Sequence, residues 1–297
     1  MTQQVFSILA PLFIIVAIGY FYGARVRPEM RITNQLIMDI FTPALIFHVM
    51  IQEDFYPSQY FMLMLAGVIL MLSSGILAFL LSRVAGFSWR SFVPPAMFSN
   101  WANLGLPLYV FALGEQALGG GVMLVVVGNI LCFTIGTYIY SGQLKGLDVL
   151  RTPIIVAVIL GALLNGFNIS LPDALDRPIE MLGQVAIPLM LFSLGVRLTR
   201  VTWSDSRVGI ATAAFCPIVG VGAAVILCAI LPLNPLQQNI LVLFGVLPPA
   251  VVNFILAEQY DREPETVASI VLIGNLASLI TLPLALMFVF SGVTANL

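Results

Sequence analysis

The chain has 297 residues, of which 60% are hydrophobic and 9% charged, and its formal net charge is −2. A soluble domain of that size carries about a quarter charged residues, so the composition excludes a soluble globular protein and points to a multi-span, all-α integral membrane protein. One histidine (His48) and three cysteines (Cys132, Cys216, Cys228) leave no cysteine-rich metal site, and no basic run or polar face suits a nucleic acid.

About 20 apolar residues cross the hydrocarbon core as a helix. Hydropathy predicts such segments over residues 5–23, 32–51, 60–82, 91–113, 120–141, 152–169, 179–198, 207–231, 238–257 and 266–291, ten in all. The first is not a cleavable signal, because no positive region precedes it and Arg25, Arg27 and Arg31 follow it in place of a small-residue cleavage site. The fourth reads Phe92-Val-Pro-Pro-Ala-Met-Phe-Ser-Asn-Trp-Ala-Asn-Leu-Gly-Leu-Pro107, and the ninth contains Phe244-Gly-Val-Leu-Pro-Pro-Ala-Val-Val-Asn253. Proline donates no backbone hydrogen bond and clashes with the preceding turn, so both segments are predicted to be kinked or interrupted. Irregular backbone at membrane depth persists only when buried in protein or lining a cavity. A matched pair of interrupted segments therefore marks the expected binding site of a transporter.

Strict alternation of these spans sorts the twelve basic residues. Arg25, Arg27, Arg31, Arg83, Arg90, Lys145, Arg151, Arg197, Arg200, Arg207 and Arg262 fall on one side, and Arg177 alone on the other. By the positive-inside rule the larger group is cytoplasmic and both termini face outward. The halves also match each other. Val127-Gly-Asn129 pairs with Ile273-Gly-Asn275 at an offset of 146, and Pro43-Ala-Leu-Ile-Phe47 with Pro188-Leu-Met-Leu-Phe192 at 145. Five helices per copy is odd, so the second copy enters inverted. The expected organisation is a first repeat over residues 1–143 and an inverted second over 152–297, joined by the short connection Ser141–Asp148. The interrupted segments align less well, since the proline pairs need an offset of 154 and the Glu115 and Glu258 motifs one of 143.

The run Asn100-Trp-Ala-Asn-Leu-Gly-Leu-Pro107 resembles the Asn-x-x-x-x-Gly-Ile-Pro stretch of the auxin efflux carrier family. Leu247-Pro-Pro-Ala-Val-Val-Asn-Phe-Ile-Leu-Ala-Glu-Gln-Tyr260 is similar to that family's Leu-Pro-x-x-x-x-Pro-Phe-x-x-Ala-x-x-Tyr, with Asn253 where the plant pattern has a second proline. The resemblance covers the whole chain, and the absence of a long central loop suggests a bacterial member, in the inner membrane, rather than a plant one. It implies a secondary transporter of organic anions: auxin, malate, malonate or related carboxylates. It further implies a scaffold of helices one, two, six and seven, a mobile unit of helices three to five and eight to ten, and a homodimer formed through the scaffold.

An interrupted helix aims free N–H groups and the positive end of its dipole at the gap, so an anion can be held there without a buried lysine or arginine. Asn100, Asn103 and Asn253 can add amide donors; their plainer role is to satisfy freed backbone groups. Trp101 gains weight from its place between two asparagines. Gly105, Pro107, Pro248 and Pro249 complete the candidate substrate site as members of the two runs. Asp39 lies inside a predicted span and is a candidate for proton coupling, although it sits near the cytoplasmic end, where it can snorkel, cap or pair with Arg197. Arg197 is a candidate for gathering anions, or an ordinary positive-inside anchor. His48 reads as interfacial, and Asn129 and Asn275 as packing residues that hydrogen-bond between helices.

An intramembrane enzyme is not expected. The chain has no His-Glu-x-x-His helix, no Gly-x-Ser-x-Gly elbow and no paired intramembrane acids, and no cofactor is implied. The rival within transport is a sodium-coupled symporter of the bile-acid type, which needs oxygen ligands around the interrupted segments. A non-transporting sensor on the same scaffold has no room for a signalling domain in such short loops.

Overall fold

A computed structural model describes residues 2–52, 55–143, 151–199 and 206–291. Most of the connection Ser141–Asp148, the basic residues Lys145 and Arg200, and residues 292–297 lie outside the described residues. Among the described residues there is no β-strand, only one isolated bridge.

Helix α1 spans Thr2–Val26. Helix α2 (Arg31–Leu36) runs through a π-type turn at Ile37–Phe41 into α3 (Thr42–Met50). Helix α4 covers Phe61–Ala85 and ends on Gly86, whose φ of 72° is the left-handed conformation that terminates a helix most easily at glycine. Next come α5 (Trp89–Met97), a π-type turn at Trp101–Gly105 and α6 (Leu106–Leu113). Helix α7 (Leu118–Leu131) continues through a π-type turn at Cys132–Gly136 into α8 (Thr137–Ser141). The second half holds α9 (Pro153–Gly166), α10 (Asp173–Leu198), α11 (Ser206–Ile230), α12 (Pro235–Val246), α13 (Val252–Gln259) and α14 (Pro264–Phe290). Helix α12 opens with a reciprocal cap, in which Asn234 Oδ1 accepts from Gln237 N and Gln237 Oε1 accepts from Asn234 N.

Among the described residues seven helical stretches are long and apolar enough to cross a bilayer: Val5–Val26, Arg31–Met50, Pro57–Ala85, Glu115–Ser141, Asp173–Leu198, Ser206–Ile230 and Pro264–Phe290. Trp101–Leu113, Pro153–Gly166 and Pro235–Val246 are shorter apolar helices. The outer surface carries large exposed side chains such as Phe6, Ile76, Val84, Ile218, Ile226 and Ile280. An apolar exterior of that extent fits a lipid environment and no aqueous one.

Two sets of helices pack among themselves. In one, α1 lies along α10, and α3 lies against both α9 and α10. The α1–α10 contact is backbone to backbone: a Cβ at Gly19 would overlap the Phe192 carbonyl oxygen, and one at Gly195 the Val16 carbonyl oxygen. Small residues allow this approach, which supplies dispersion contact where lipid removes the hydrophobic drive between helices. In the other set α4 packs on α5, α7 and α11, while α11 packs on α12 and α14. Here Gly220 of α11 and Gly245 of α12 face each other, each backbone occupying the space a Cβ on the other would take. Helix α6 and the turn before it touch α10 of the first set and α7 and α12 of the second, and α6 also touches α1.

Two ionisable candidates settle here. His48 Nδ1 meets Asp176 Oδ1 at 3.0 Å, tying α3 to α10. Asp39 sits in the π-type turn with its side chain exposed between exposed Met38 and Ile40, and it forms no ion pair with Arg197 among the described residues.

Candidate functional site

The two proline-bearing segments are both broken, but not at equivalent places. In the first, Pro94 and Pro95 lie inside α5 and the chain turns extended only at Phe98 (φ −109°, ψ 97°). Their missing N–H groups leave the carbonyls of Arg90 and Ser91 without helical donors, and α5 runs only two residues further. In the second, Pro248 and Pro249 are the break itself, between α12 and α13.

The breaks meet and pair. Asn100 N donates to the Pro248 carbonyl at 2.8 Å, and Ala250 N donates to the Phe98 carbonyl at 3.0 Å. Ser99 and Pro249 thus form an antiparallel bridge. They occupy the position between the two hydrogen bonds, where neither residue's N–H is required, so a proline fits without loss. Each break satisfies backbone groups that the other leaves free.

Three amides crowd this junction. Asn253 is fully buried, and its Nδ2 donates to the carbonyls of Phe98 and Ala250, both at 2.9 Å. Asn275 of α14 donates from Nδ2 to Pro249 O at 3.1 Å and to Val271 O at 2.8 Å. Asn100 is 2% exposed and its Nδ2 has no partner among the described residues. Trp101 is buried, with its indole against Gly128 and edge-on to Phe98 at 6.1 Å between ring centres. Gly105 packs against Leu247 of the second break, and Pro107 is buried at the start of α6. Asn103 is half-buried on the intervening turn. Replacing Asn253 by alanine removes two buried hydrogen bonds, the one to Phe98 crossing the junction, so the melting temperature in detergent should fall, by the equivalent of about 1–3 kcal/mol; an unchanged value would show that the backbone bridge holds the junction alone.

Beside the junction lies a cavity of about 530 Å³. Its walls come from the α1–α2 link and α2 (Glu29, Arg31, Asn34), from α10 (Leu194, Arg197), from the second break and α13 (Val251, Phe254, Glu258) and from α14 (Glu265, Val271, Asn275). Glu29, Arg31, Glu258 and Glu265 are exposed, whereas Arg197 is half-buried. No carboxylate lies within 4.0 Å of its guanidinium among the described residues. A cation kept there without an acidic partner is electrostatically incomplete and presents five N–H donors. Asn34 is held in place by Ser193, whose Oγ donates to its Oδ1 at 2.6 Å.

The structure therefore separates the sequence candidates. Asn100, Trp101, Gly105, Pro248, Pro249 and Asn253 gather at the junction, with Pro107 and Asn103 in the adjoining turn and helix. Arg197 stands on the cavity wall, and Asp39 is not among the residues that line it. Val251 and Phe254 line the cavity on either side of Asn253, whose own side chain is turned to the backbone. Asn34 and Asn275 are wall residues that sequence reasoning had not placed there. The Gly-Asn pair at 274–275, repeated at 128–129, was the signal for Asn275, and its reading as packing describes only the nitrogen half of that amide. Among the described residues no group of three His, Cys, Asp or Glu gathers to hold a metal.

Comparison with known proteins agrees with this architecture. Residues 4–150 and 144–286 match the model of a family described as membrane transport protein. An uncharacterized transporter of Methanocaldococcus jannaschii is 25% identical over 91% of this chain and 94% of its own. An uncharacterized transporter of Methanothermobacter thermautotrophicus is 26% identical over 95% of this chain and 96% of its own. Both of these relatives are archaeal. With the match running through almost the whole chain, this protein belongs to the membrane transport protein family, the auxin efflux carrier family that its asparagine- and proline-bearing runs resemble.

Proposed function

We propose that this protein is a secondary transporter of small organic anions, a carrier and not an enzyme, working by alternating access in a cell membrane. The observation that carries the proposal is Arg197: a half-buried guanidinium without an acidic partner among the described residues, on the wall of a cavity that reaches the paired breaks. Keeping a charge at membrane depth is unfavourable, and such residues mark substrate or ion pathways. A carboxylate fits the guanidinium fork through two parallel hydrogen bonds. The apolar wall of Leu194, Val251, Phe254 and Val271 suits the carbon body of such an acid.

In this reading the breaks are the crossovers of two inverted five-helix repeats, with both termini outside. The helices α1–α3, α9 and α10 form the scaffold, and α4–α8 with α11–α14 form the moving unit. Two observations support the division: each set packs mainly within itself, and the cavity lies between them. Arg31 at the cavity mouth belongs to the basic-rich side, so the cavity opens to the cytoplasm. Movement of the crossovers past the scaffold would close that mouth and open the other side. A homodimer through the scaffold belongs to the same proposal.

The test is a thermal-shift screen of mono- and dicarboxylates on the purified protein, followed by flux of the hits in proteoliposomes. A ligand that binds only the folded state raises the melting temperature, by an amount that grows with its concentration above Kd. If no carboxylate shifts the protein and none crosses the vesicle, the proposal fails.

A further inference from the structure

We infer that the junction of the two breaks carries a site for a small monovalent cation of the sodium class, built on the side-chain oxygens of Asn253 and Asn275. Both amides are fixed in orientation by their nitrogens. Asn253 Nδ2 donates to two carbonyls at 2.9 Å, and Asn275 Nδ2 donates to two at 3.1 and 2.8 Å. Turning either amide over would set its oxygen against two carbonyl oxygens, so chemistry decides which atom is left free. The free atoms are Asn253 Oδ1 and Asn275 Oδ1, both buried, and neither has a donor among the described residues.

A buried acceptor without a donor destabilises a fold, and two of them occur here on amides that grip the adjacent carbonyls of Pro249 and Ala250. Oxygen atoms lacking donors are complementary to a hard cation. Helices α5 and α12 end at the junction and α13 begins there, so carbonyl ends and N–H ends of the backbone both face it, and the amide oxygens decide the local polarity. Neutral amide oxygens with no carboxylate among them suit a single positive charge better than a double one.

The first half differs in polarity. Asn129, which matches Asn275 at the repeat offset, and Asn100 each leave Nδ2 without a partner. The unpaired nitrogen of Asn100 and the unpaired oxygens of Asn253 and Asn275 make the junction two-sided, with a donor from the first half and acceptors from the second. As a coupling ion the cation rests on the transport reading; as a bound ion it does not.

The experiment is equilibrium binding of radioactive sodium to the purified protein in detergent. No organic anion is present, and choline chloride holds the ionic strength. Saturable binding near one ion per chain is expected, with unlabelled sodium displacing the label and potassium at least tenfold weaker. Asn275→Ala should weaken sodium binding at least tenfold. Wild-type protein that binds no sodium above the choline background overturns the inference, as does an Asn275→Ala protein that melts cooperatively and binds sodium as the wild type does. Arg197→Gln separates the two readings, since it should lose carboxylate binding and keep sodium binding. Carboxylate binding in the wild type with no sodium site sinks this inference alone, and a sodium site without any carboxylate binding sinks the transport reading alone.

Discussion

Replacing Arg197 by glutamine is expected to lower carboxylate affinity about 10- to 100-fold, because a hydrogen bond to a charged group contributes about 1.5–3 kcal/mol. The same change should leave the melting temperature equal or higher. A half-buried cation with no acidic partner destabilises the fold, and an uncharged side chain of similar length removes that burden. Opposite signs on binding and stability mark a residue held for function, whereas an anchoring arginine would show only a change in stability or topology. Arg197→Lys keeps the charge and loses the planar fork, so it should fall between wild type and glutamine. Calorimetric titration of the best carboxylate from the screen, beside melting curves of the three proteins, decides the matter. An affinity for Arg197→Gln within twofold of the wild type removes Arg197 from the substrate site.

Substitution of Gly220 or Gly245 by alanine should lower stability strongly. Intrinsic helix propensity alone favours alanine over glycine by about 0.8–1.0 kcal/mol. At these two positions the sign should reverse. A Cβ on either glycine would meet the backbone of the other, and backbone cannot rotate away as a flexible side chain can. Overpacking of this kind destabilises by about 1–3 kcal/mol and sometimes more. Gly245 is also two residues before Leu247, where the second break begins, so forcing α12 from α11 would pull Pro248 and Pro249 away from Asn100 and Phe98. Gly222, also on α11, has no atom within 4 Å of the place its Cβ would occupy. Gly222→Ala should therefore melt at or above the wild-type temperature, while Gly220→Ala and Gly245→Ala melt below it. Equal melting temperatures for all three would mean that the α11–α12 contact is looser than described.

Helix was legible over the long apolar runs: among the described residues seven helical stretches are long and apolar enough to cross a bilayer, with three shorter apolar helices beside them. The existence of two breaks was legible too, from the proline pairs. Their positions were not. Pro94 and Pro95 are tolerated near the end of α5, whereas Pro248 and Pro249 lie in the extended peptide, and the difference comes from what each segment meets. Asn253 looked like a substrate ligand, because the sequence cannot show that its nitrogen is taken by the Phe98 and Ala250 carbonyls. Asp39 looked intramembrane and therefore functional; its outward orientation depends on the rotation of the α2–α3 stretch, which packing against α9 and α10 sets.

By itself the sequence determined the solvent this protein lives in, its helical character, the family and the existence of two breaks. Those properties follow from local composition and from the single missing donor of proline. Only the tertiary structure decided that the breaks pair with each other, which amide atoms stay free, and that Arg197 stands on a cavity wall without an acidic partner among the described residues. Each of these depends on contacts between residues far apart in the chain: 152 positions separate Phe98 from Ala250, and Arg197 shares its cavity with residues from 29 to 275. Hydrogen bonds and ion pairs at that separation are settled by how helices pack, and packing in lipid is settled by close contacts such as Gly220 against Gly245.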